Sequence, residues 1–530
     1  MQRKNKRFKS EKESGITEGT LNTVQRKKKY TLFTGKQLLW LILPIVVESI
    51  FSTSLGMIDS MMVSSWISDN AGNAVGNVDD INNLIIQLFS AFATGGVIVT
   101  SQCLGAKKID EANKSAKHVV VIVFIASVSI CLLCLALNYP LLKLFFGGVS
   151  KEVFKYQQQY FYITAASFRF IGIFNVCAAL LRAQRKSMVT MTSAGLSLVV
   201  NLILNTLFMY VFGWGVIGAA SATLISRVVP AVYVLFLITR KRFVVHIKIF
   251  EKFRFDWKMV KHILFIAIPS GVESCLFQLG KVMTSTFVNA ECYTVYSAGG
   301  VDYPNGINIE ANANTMAKSL NNIASVVGGG VNTSCLTVIG QAIGTGDLKQ
   351  TKYYIKKMFI IAFIANACAV GLIMGTCQWI IQLYGYSDAA KDIALNCLYM
   401  CLSFQFVTYP LSFTSPAVLK ATSDVKYVMY SAVGSMIIVR VGLCWLLTSP
   451  LFGFELGAMG YWIAMCSDWV MRSLLFTIRL LTGRWKKASG LIPEDVRDRI
   501  IGVTRQLTTN GKKLSYTTYK RGGKNAIKRV

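Results

Sequence analysis

The sequence predicts an all-α membrane protein of about twelve transmembrane helices, arranged as two pseudo-symmetric bundles of six helices. Three observations lead to this prediction: long apolar runs, basic residues that collect in alternate loops, and motifs that occur twice in the same order. Of the 530 residues, 53% are hydrophobic and only 15% are charged. A water-soluble chain of this length needs more charged residues to cover its surface, so the composition excludes a soluble fold.

The apolar runs are long enough to cross the hydrocarbon core of a bilayer, which is about 30 Å thick. Length and hydropathy predict spans at 36–66, 74–102, 116–138, 159–182, 188–212, 215–239, 259–289, 311–342, 354–384, 392–419, 427–449 and 456–480. We therefore divide the chain into a basic N-terminal tail (1–35), a six-helix bundle (36–239), a linker (240–258), a second six-helix bundle (259–482) and a basic C-terminal tail (483–530).

Basic residues mark one side of the membrane. The formal net charge is +30, and much of it lies in Arg3–Lys29 and Arg479–Arg529. Alternate loops are rich in Lys and Arg, whereas the opposite loops 67–73, 213–214, 290–310 and 450–455 have none. The exceptions on the opposite side are the third loop, with Lys143, Lys151 and Lys155, and the lone Lys391. The positive-inside rule then places both termini in the cytoplasm, which requires an even number of spans. This location of the charge favours contact with lipid head groups over nucleic-acid binding, for which no motif is present.

Residues that commonly carry out catalysis or bind metals are scattered. The 13 cysteines lie in apolar runs, and Cys131 and Cys134 form a C-x-x-C inside a predicted span. The three histidines lie at span ends, and the sequence contains no H-E-x-x-H and no evident nucleophile–base pair. We therefore predict no resident metal, no redox cofactor and no enzymatic activity. A pseudo-twofold chain without a filter-like loop also argues against an ion channel.

Several motifs occur once in each half of the chain. The repeated segments are Pro44–Glu48 and Pro269–Glu273, Gln102–Gly105 and Gln341–Gly344, and Leu181–Ala183 and Leu419–Ala421. Six spans return the chain to the side where it began, so the two halves have the same orientation. In transporters with such parallel repeats, the substrate site lies between the halves near the midplane.

These motifs, together with Gly-Met-Ile-Asp59 and Gly218–Thr223, resemble the multidrug and toxic compound extrusion (MATE) family. The resemblance covers about residues 36–482. It implies two six-helix bundles that form a V around a central cavity. It also implies a secondary active antiporter that exports organic cations and drugs in exchange for sodium ions or protons, by alternating between outward-open and inward-open states.

The resemblance places a cation-coupling site in the N-terminal half, at Asp59, Asn201, Asn205 and Thr223. Oxygen ligands suit a hard alkali ion, and a carboxylate supplies the balancing charge. Many relatives have an aspartate where this chain has Asn205. With Asp59 as the one carboxylate at the site, a proton relay between two carboxylates is disfavoured, and sodium binding or coupling through the other half is favoured.

Other charged residues inside the spans need a partner or a function, because a charge at the bilayer centre is costly. We predict that Glu273 couples to a cation or contacts substrate; alternatively, it neutralises Lys281 or Arg440. Glu48 has the same two interpretations, with Arg169 as its expected ion-pair partner. Among the other charges, Arg440 is predicted to be structural, Asp468 is unassigned, and Arg227 and Arg472 are predicted to reach the membrane surface.

Two further predictions concern the helices themselves. Pro44 and Pro269 are predicted to bend their helices, and Gly105 and Gly344 to follow the last helical residue as C′ caps.

One alternative function remains open from the residues. A lipid-linked oligosaccharide flippase of the same superfamily needs several basic residues in its cavity, and Arg169, Lys281 and Arg440 are basic. Four acidic residues balance them, which favours cationic substrates. The further expectations are a monomer in the prokaryotic cytoplasmic membrane, in contact with lipid and with a small organic cation, and without nucleic acid.

Overall fold

The structure is a computed structural model that describes residues 32–146, 150–247, 255–291, 297–298, 301–302, 309–384, 386–448, 454, 456–490, 516–521 and 524–529. The predictions for the N-terminal basic segment and for part of the linker lie outside these residues.

The N-terminal half is helical. Its helices are α1 (Gly35–Trp66), α2 (Asp69–Gly105), α3 (Ile109–Ala136), α4 (Asn138–Phe146), α5 (Lys151–Ala166), α6 (Phe168–Ala183), α7 (Ser187–Asn205) and α8 (Gly215–Ile238). Helix α7 continues as a π-helical turn over Thr206–Val211. Helix α1 begins with a capping box, in which Thr34 and Gln37 bond to each other's backbone amides.

The C-terminal half repeats this pattern. Its helices are α9 (Trp257–Glu291), α10 (Ile309–Gly344), α11 (Leu348–Gln382), α12 (Asp388–Tyr409), α13 (Ser415–Ala421), α14 (Val425–Ser435), α15 (Gly442–Thr448), α16 (Gly457–Leu481) and α17 (Trp485–Ala488). The π-helical turns Pro410–Thr414 and Met436–Val441 join α12 to α13 and α14 to α15. Two antiparallel hairpins, which the all-α prediction does not include, pair Ser297–Ala298 with Val301–Asp302 and Tyr516–Arg521 with Lys524–Arg529.

The helices confirm a polytopic membrane protein. Within the described part of the chain, ten helical segments are long and apolar enough to cross a membrane, or eleven when α5 and α6 count as one span bent by 47°. Helix α16 occupies the place of the predicted twelfth span. It has 25 residues and carries the charged residues Asp468, Arg472 and Arg479, and it is not among the ten segments.

The two halves share a hydrophobic interior at one end and have separate interiors at the other. Near the ends of α2 and α10, one cluster joins Val97 to Ile263, and another joins Ile42 to Val338. At the opposite end, the cluster around Val75 draws only on the N-terminal half, and the cluster around Ala313 only on the C-terminal half. The bundles therefore meet at one end, which we call the joined end, and have separate interiors at the other, where we call the boundary between them the cleft.

Candidate functional site

Four polar side chains meet inside the N-terminal half. Asn205 Nδ2 donates a hydrogen bond to Asp59 Oδ1, and Thr223 Oγ1 donates to Asp59 Oδ2 over 3.0 Å. The same Asn205 nitrogen lies 3.1 Å from Asn201 Oδ1. All four residues are at most 2% exposed. The structure thus brings together Asp59, Asn201, Asn205 and Thr223 at one point, which we call the Asp59 site.

Local helix geometry explains this convergence. Asn201 and Asn205 are four residues apart on α7, so their side chains lie on the same face one turn apart. The π-helical turn begins directly after Asn205. Asp59 comes from α1 and Thr223 from α8, so three helices that pack against one another supply the site.

The Asp59 site has the composition of a cation site. It offers a carboxylate, two amide oxygens and a hydroxyl oxygen, and hard cations prefer oxygen ligands. Asn205 Oδ1 is buried and has no hydrogen-bond partner among the described residues. An acceptor left without a donor in a buried site is available to coordinate a cation.

A second carboxylate lies near the Asp59 site, and the sequence analysis missed it. Asp79, on α2, accepts a hydrogen bond of 3.1 Å from Asn82 Nδ2 and interacts electrostatically with Asp59 and Arg227. Asp79 is thus within electrostatic range of Asp59, and the prediction that Asp59 is the one titratable group of the site stays a prediction. Asp79 lies near a helix end in the sequence, where an acidic residue resembles a solvent-exposed one.

Glu48 forms an ion pair with a different residue from the one predicted. Glu48 Oε1 lies 2.6 Å from Arg182 Nη1, and Glu48 Oε2 accepts a hydrogen bond of 2.6 Å from Thr190 Oγ1. The predicted partner, Arg169, instead packs against the ring of Phe170. Arg182 lies at the end of α6 that approaches Glu48 on α1, whereas Arg169 lies at the opposite end of α6.

Glu273 also pairs with an unpredicted base. Lys420 Nζ lies 2.8 Å from Glu273 Oε2, so neither Lys281 nor Arg440 is its ion-pair partner. Lys420 ends α13, as Arg182 ends α6, and Glu273 lies on the helix equivalent to that of Glu48. The repeated motifs therefore encode the same ion pair twice, once in each half.

The other charges of the C-terminal half form a group of their own. Arg440 Nη2 donates a hydrogen bond of 3.1 Å to Tyr461 Oη, and Lys281 Nζ lies 5.0 Å from the centre of the Phe277 ring. Asp468 lies beside Arg472, with 3.8 Å between Oδ1 and Nε, and accepts a hydrogen bond from Ser435. Arg472 is only 4% exposed, so the prediction that it reaches the membrane surface is wrong.

The joined end is closed by two exchanged hydrogen bonds. Gln102 Nε2, at the end of α2, donates a hydrogen bond of 3.1 Å to the carbonyl oxygen of Ala421 in the other half. Gln341 Nε2, at the equivalent place on α10, donates a hydrogen bond of 2.7 Å to the carbonyl oxygen of Ala183. Arg185 adds a hydrogen bond of 2.7 Å to Gln341 Oε1. Each half therefore holds the other through the same motif.

Two glycines allow this closure. A Cβ on Gly105 would lie 2.0 Å from the carbonyl oxygen of Gln341, and one on Gly344 would lie 2.0 Å from that of Gln102. Each glycine is the last residue of its helix, so the prediction of a C′ position is wrong. The positive φ angles occur two residues later, at Lys107 and Gly346. The two glycines allow the ends of α2 and α10 to approach closely, because a side chain does not fit between them.

Pro44 and Pro269 lie inside α1 and α9, and each precedes its paired glutamate by about one turn. Proline removes a backbone hydrogen bond from the helix and so weakens it locally. Whether these helices bend during transport stays a prediction.

A known family model matches one segment in each half of the chain. The model of the MatE family matches residues 44–207 and 312–446, which is more than half of the chain. A probable multidrug resistance protein NorM from Thermotoga maritima is 23% identical over 477 residues, which cover 87% of this chain and 96% of that protein.

Two solved structures have the same fold. One is the outward-facing conformation of a multidrug resistance MATE family transporter of the MOP superfamily, with a TM-score of 0.75, 22% identity, and coverage of 86% of this chain and 96% of that one. The other is a MOP superfamily transporter from Pyrococcus furiosus, described by a binding pocket of reversed polarity that suggests a different function. Its TM-score is 0.74 at 23% identity, over 86% of this chain and 96% of that one.

Proposed function

Because this chain belongs to the MatE family of multidrug efflux transporters, we propose that it is a secondary active antiporter that exports organic cations in exchange for sodium ions or protons. Membership of this family makes it a multi-pass membrane transporter of small molecules rather than an enzyme, and it does not favour the flippase alternative. The substrate charge and the coupling ion are the proposed part.

The observation that carries this proposal is the Asp59 site. The buried carboxylate of Asp59, held by Asn205 and Thr223, can take up a proton or a sodium ion in exchange for one of these hydrogen bonds. A cation that occupies the site displaces the amide hydrogen of Asn205 from Asp59. Such an exchange alters the contacts between α1, α7 and α8, which gives the ion a way to act on the N-terminal half.

The closure of one end supports alternating access. The exchanged hydrogen bonds of Gln102 and Gln341 hold the joined end shut, while the halves have separate interiors at the other end. We propose that the joined end faces the cytoplasm, together with both termini, and that the protein lies in a prokaryotic cytoplasmic membrane. In this assignment the structure corresponds to an outward-open state.

Glu273 is our candidate for a second coupling or substrate-contacting position. It is 9% exposed, and Lys420 balances its charge. An incoming cation at Glu273 therefore competes with the ammonium group of Lys420. We propose that Glu48 and Arg182 are mainly structural, because both oxygens of Glu48 already have partners.

The test is efflux of a fluorescent organic cation from proteoliposomes under an imposed sodium or proton gradient. We expect one gradient to drive efflux by the unmodified protein. Asp59→Asn should abolish this dependence, because the amide no longer carries the exchangeable charge. Glu273→Gln, measured in parallel, shows whether the C-terminal half takes part in coupling efflux to the ion gradient.

The matched control is Asp388→Asn, which makes the same chemical change on a side chain that is 96% exposed. It should transport like the unmodified protein. Gradient-independent efflux, or full coupling in Asp59→Asn, would contradict the proposal. Monomeric behaviour and lipid contact by the basic tails remain predictions.

A further inference from the structure

We propose that the C-terminal half contains a binding site for an acidic group, a carboxylate or phosphate, on an aromatic or apolar organic molecule. Four basic side chains form the site, and each comes from a different segment: Lys281 on α9, Lys318 on α10, Arg440 on a π-helical turn and Arg472 on α16. This inference rests on the proposed transport function only for the expectation that the bound molecule is transported.

Three of these cations surround one aromatic ring. Lys281 Nζ lies 5.0 Å, Arg472 Cζ 4.6 Å and Arg440 Cζ 5.7 Å from the centre of the Phe277 ring. Cations are attracted to the face of an aromatic ring, which partly offsets the cost of removing them from water. One ring shared by three cations holds them close together.

Tyr461 connects the fourth cation to this group. Lys318 Nζ lies 4.6 Å from the centre of the Tyr461 ring, and Arg440 Nη2 donates 3.1 Å to the hydroxyl of the same residue. Lys318 Nζ also donates 2.8 Å to Ser285 Oγ. Lys281 is within electrostatic range of all three other cations, so the four act as one positively charged cluster.

The described part of the C-terminal half does not neutralise this cluster. Asp468 is the one carboxylate there that forms an ion pair with it, at 3.8 Å from Arg472. Across the cleft, Asp80 of the N-terminal half interacts electrostatically with Lys318. Four positive charges therefore face two negative ones. Uncompensated charge inside a membrane protein is costly, so residues of this kind commonly serve a ligand.

The cluster also has hydrogen-bond donors available for an anion. Arg440 and Arg472 are 2% and 4% exposed. Among the described residues Arg440 Nε has no hydrogen-bond partner, and Arg472 Nε has only the 3.8 Å ion pair with Asp468. In the same part of the chain, the ammonium group of Lys281 has no ion-pair partner. Guanidinium groups match the two oxygens of a carboxylate or phosphate. An acidic group would thus satisfy donors that the protein leaves unused.

Asp80 of the N-terminal half lies within electrostatic range of this cluster. Asp80 lies on α2 and Lys318 on α10, so their interaction crosses the cleft between the halves. At Asp80 and Lys318, the two walls therefore carry opposite charges. An organic molecule with separated positive and negative groups complements both walls. The aromatic rings of Phe277 and Tyr461 suit an apolar body beside the acidic group.

The experiment measures equilibrium binding to the full-length protein in phosphatidylcholine nanodiscs by isothermal titration calorimetry. The probes are 2-naphthoate and 2-naphthamide, which have similar shapes and differ in the negative charge. We expect naphthoate to bind more tightly. Lys281→Met and Lys318→Met should each weaken naphthoate binding by about tenfold, the usual scale of a lost charge-assisted hydrogen bond. Both side chains are only half-buried, so we expect both variants to fold.

The control is Lys391→Met, which removes a lysine of the same half that pairs with Asp388 outside the cluster. Its affinity should not change. Repeating the titration with phosphatidylglycerol distinguishes the source of the acidic group. If the affinity for naphthoate is the same in both lipids, the site takes a soluble organic anion. If phosphatidylglycerol weakens naphthoate binding to the unmodified protein but not to Lys281→Met, the site takes a lipid phosphate.

Two outcomes would overturn the anion site: equal affinities for naphthoate and naphthamide, or unchanged naphthoate binding in both lysine variants. No ion gradient is used, so failure here is distinguishable from failure of the proposed antiport. A protein that binds naphthoate but moves no organic cation would keep the anion site and reject the cation-export proposal.

Discussion

At the scale of single residues, buried acids in this protein have partners that hold them in place. Glu48 uses one carboxylate oxygen for Arg182 and the other for Thr190. Glu273 has the equivalent base, Lys420, at 2.8 Å. Breaking a buried ion pair costs more than the pair contributes to stability, because one charge is left uncompensated. Variants of these residues are therefore expected to reveal structure as well as function.

Glu48→Gln should lower the thermal stability of the purified protein. The amide leaves the Arg182 guanidinium without its counter-charge, and loss of one partner from a buried pair costs about 3–5 kcal/mol. The melting temperature in detergent measures this effect. Asp388→Asn is the control, since its exposed pair with Lys391 contributes about 0–1 kcal/mol. Equal melting temperatures for both variants would show that Glu48 is not held by this pair.

The sequence predicts some of these residues better than others. Asp59, Asn201, Asn205 and Thr223 were found because the family resemblance names them, and helical spacing explains why two of them share a face. The partners of Glu48 and Glu273 were missed, because they lie on other helices and their approach depends on helix rotation. The signal was nevertheless present: each half repeats both an acid and a base. Lys318, by contrast, had no such signal, since its neighbours Tyr461 and Ser285 are distant in sequence.

At the scale of helices, π-helical turns lie beside both sites. One follows Asn205, and another, Met436–Val441, contains Arg440. A π-helical turn adds a residue to the helix and changes which side chains face the interior, and such turns are frequent at functional sites. Hydrophobic periodicity does not reveal them. The sequence therefore predicts the span 188–212, which contains α7, and gives no reason for the orientation of its end.

Close helix approach at the joined end gives a prediction at this scale. In Gly344→Ala the new methyl group would lie 2.0 Å from the carbonyl oxygen of Gln102, so the ends of α2 and α10 must separate. Overpacking of this kind costs about 1–3 kcal/mol, and we expect lower thermal stability and slower transport. Gly371→Ala is the control, because no atom lies within 4 Å of its added Cβ. If both alanine variants behave alike, the helix ends do not depend on this contact.

Pro44→Ala tests whether α1 bends during transport. Alanine restores the missing backbone hydrogen bond and stiffens the helix, so we expect impaired efflux with normal insertion into the membrane. Efflux from proteoliposomes, compared at equal amounts of inserted protein, measures the effect. Unchanged efflux would show that the proline has only a static role.

At the scale of the whole molecule, the two halves meet at the joined end through apolar contacts, the exchanged hydrogen bonds, the bond from Arg185 to Gln341 and the hydrogen bonds between Phe33 and Tyr354. The separate cores around Val75 and Ala313 allow each half to move as a body. The bonds of Gln102 and Gln341 are equivalent under the internal repeat, so we expect them to form and break together in the proposed alternating-access cycle. Their neighbours Ala183 and Ala421 directly follow Arg182 and Lys420 in the sequence. The buried ion pairs therefore position the carbonyl groups that close this end.

Removing both glutamines should open the joined end. Each hydrogen bond contributes about 0.5–1.5 kcal/mol, so Gln102→Ala with Gln341→Ala should shift the ratio of open to closed molecules by roughly tenfold to a hundredfold. Spin labels at Ile109 and Tyr353, which are exposed near this end on opposite halves, report the distance by double electron–electron resonance in a background without native cysteines. We expect a second, longer distance. The control is Gln382→Ala, at the other end of α11, which should leave the distribution unchanged. An unaltered distance in the double variant would mean that apolar packing and the Phe33–Tyr354 hydrogen bonds are enough to keep the joined end shut, and the repeated glutamines would then need another explanation.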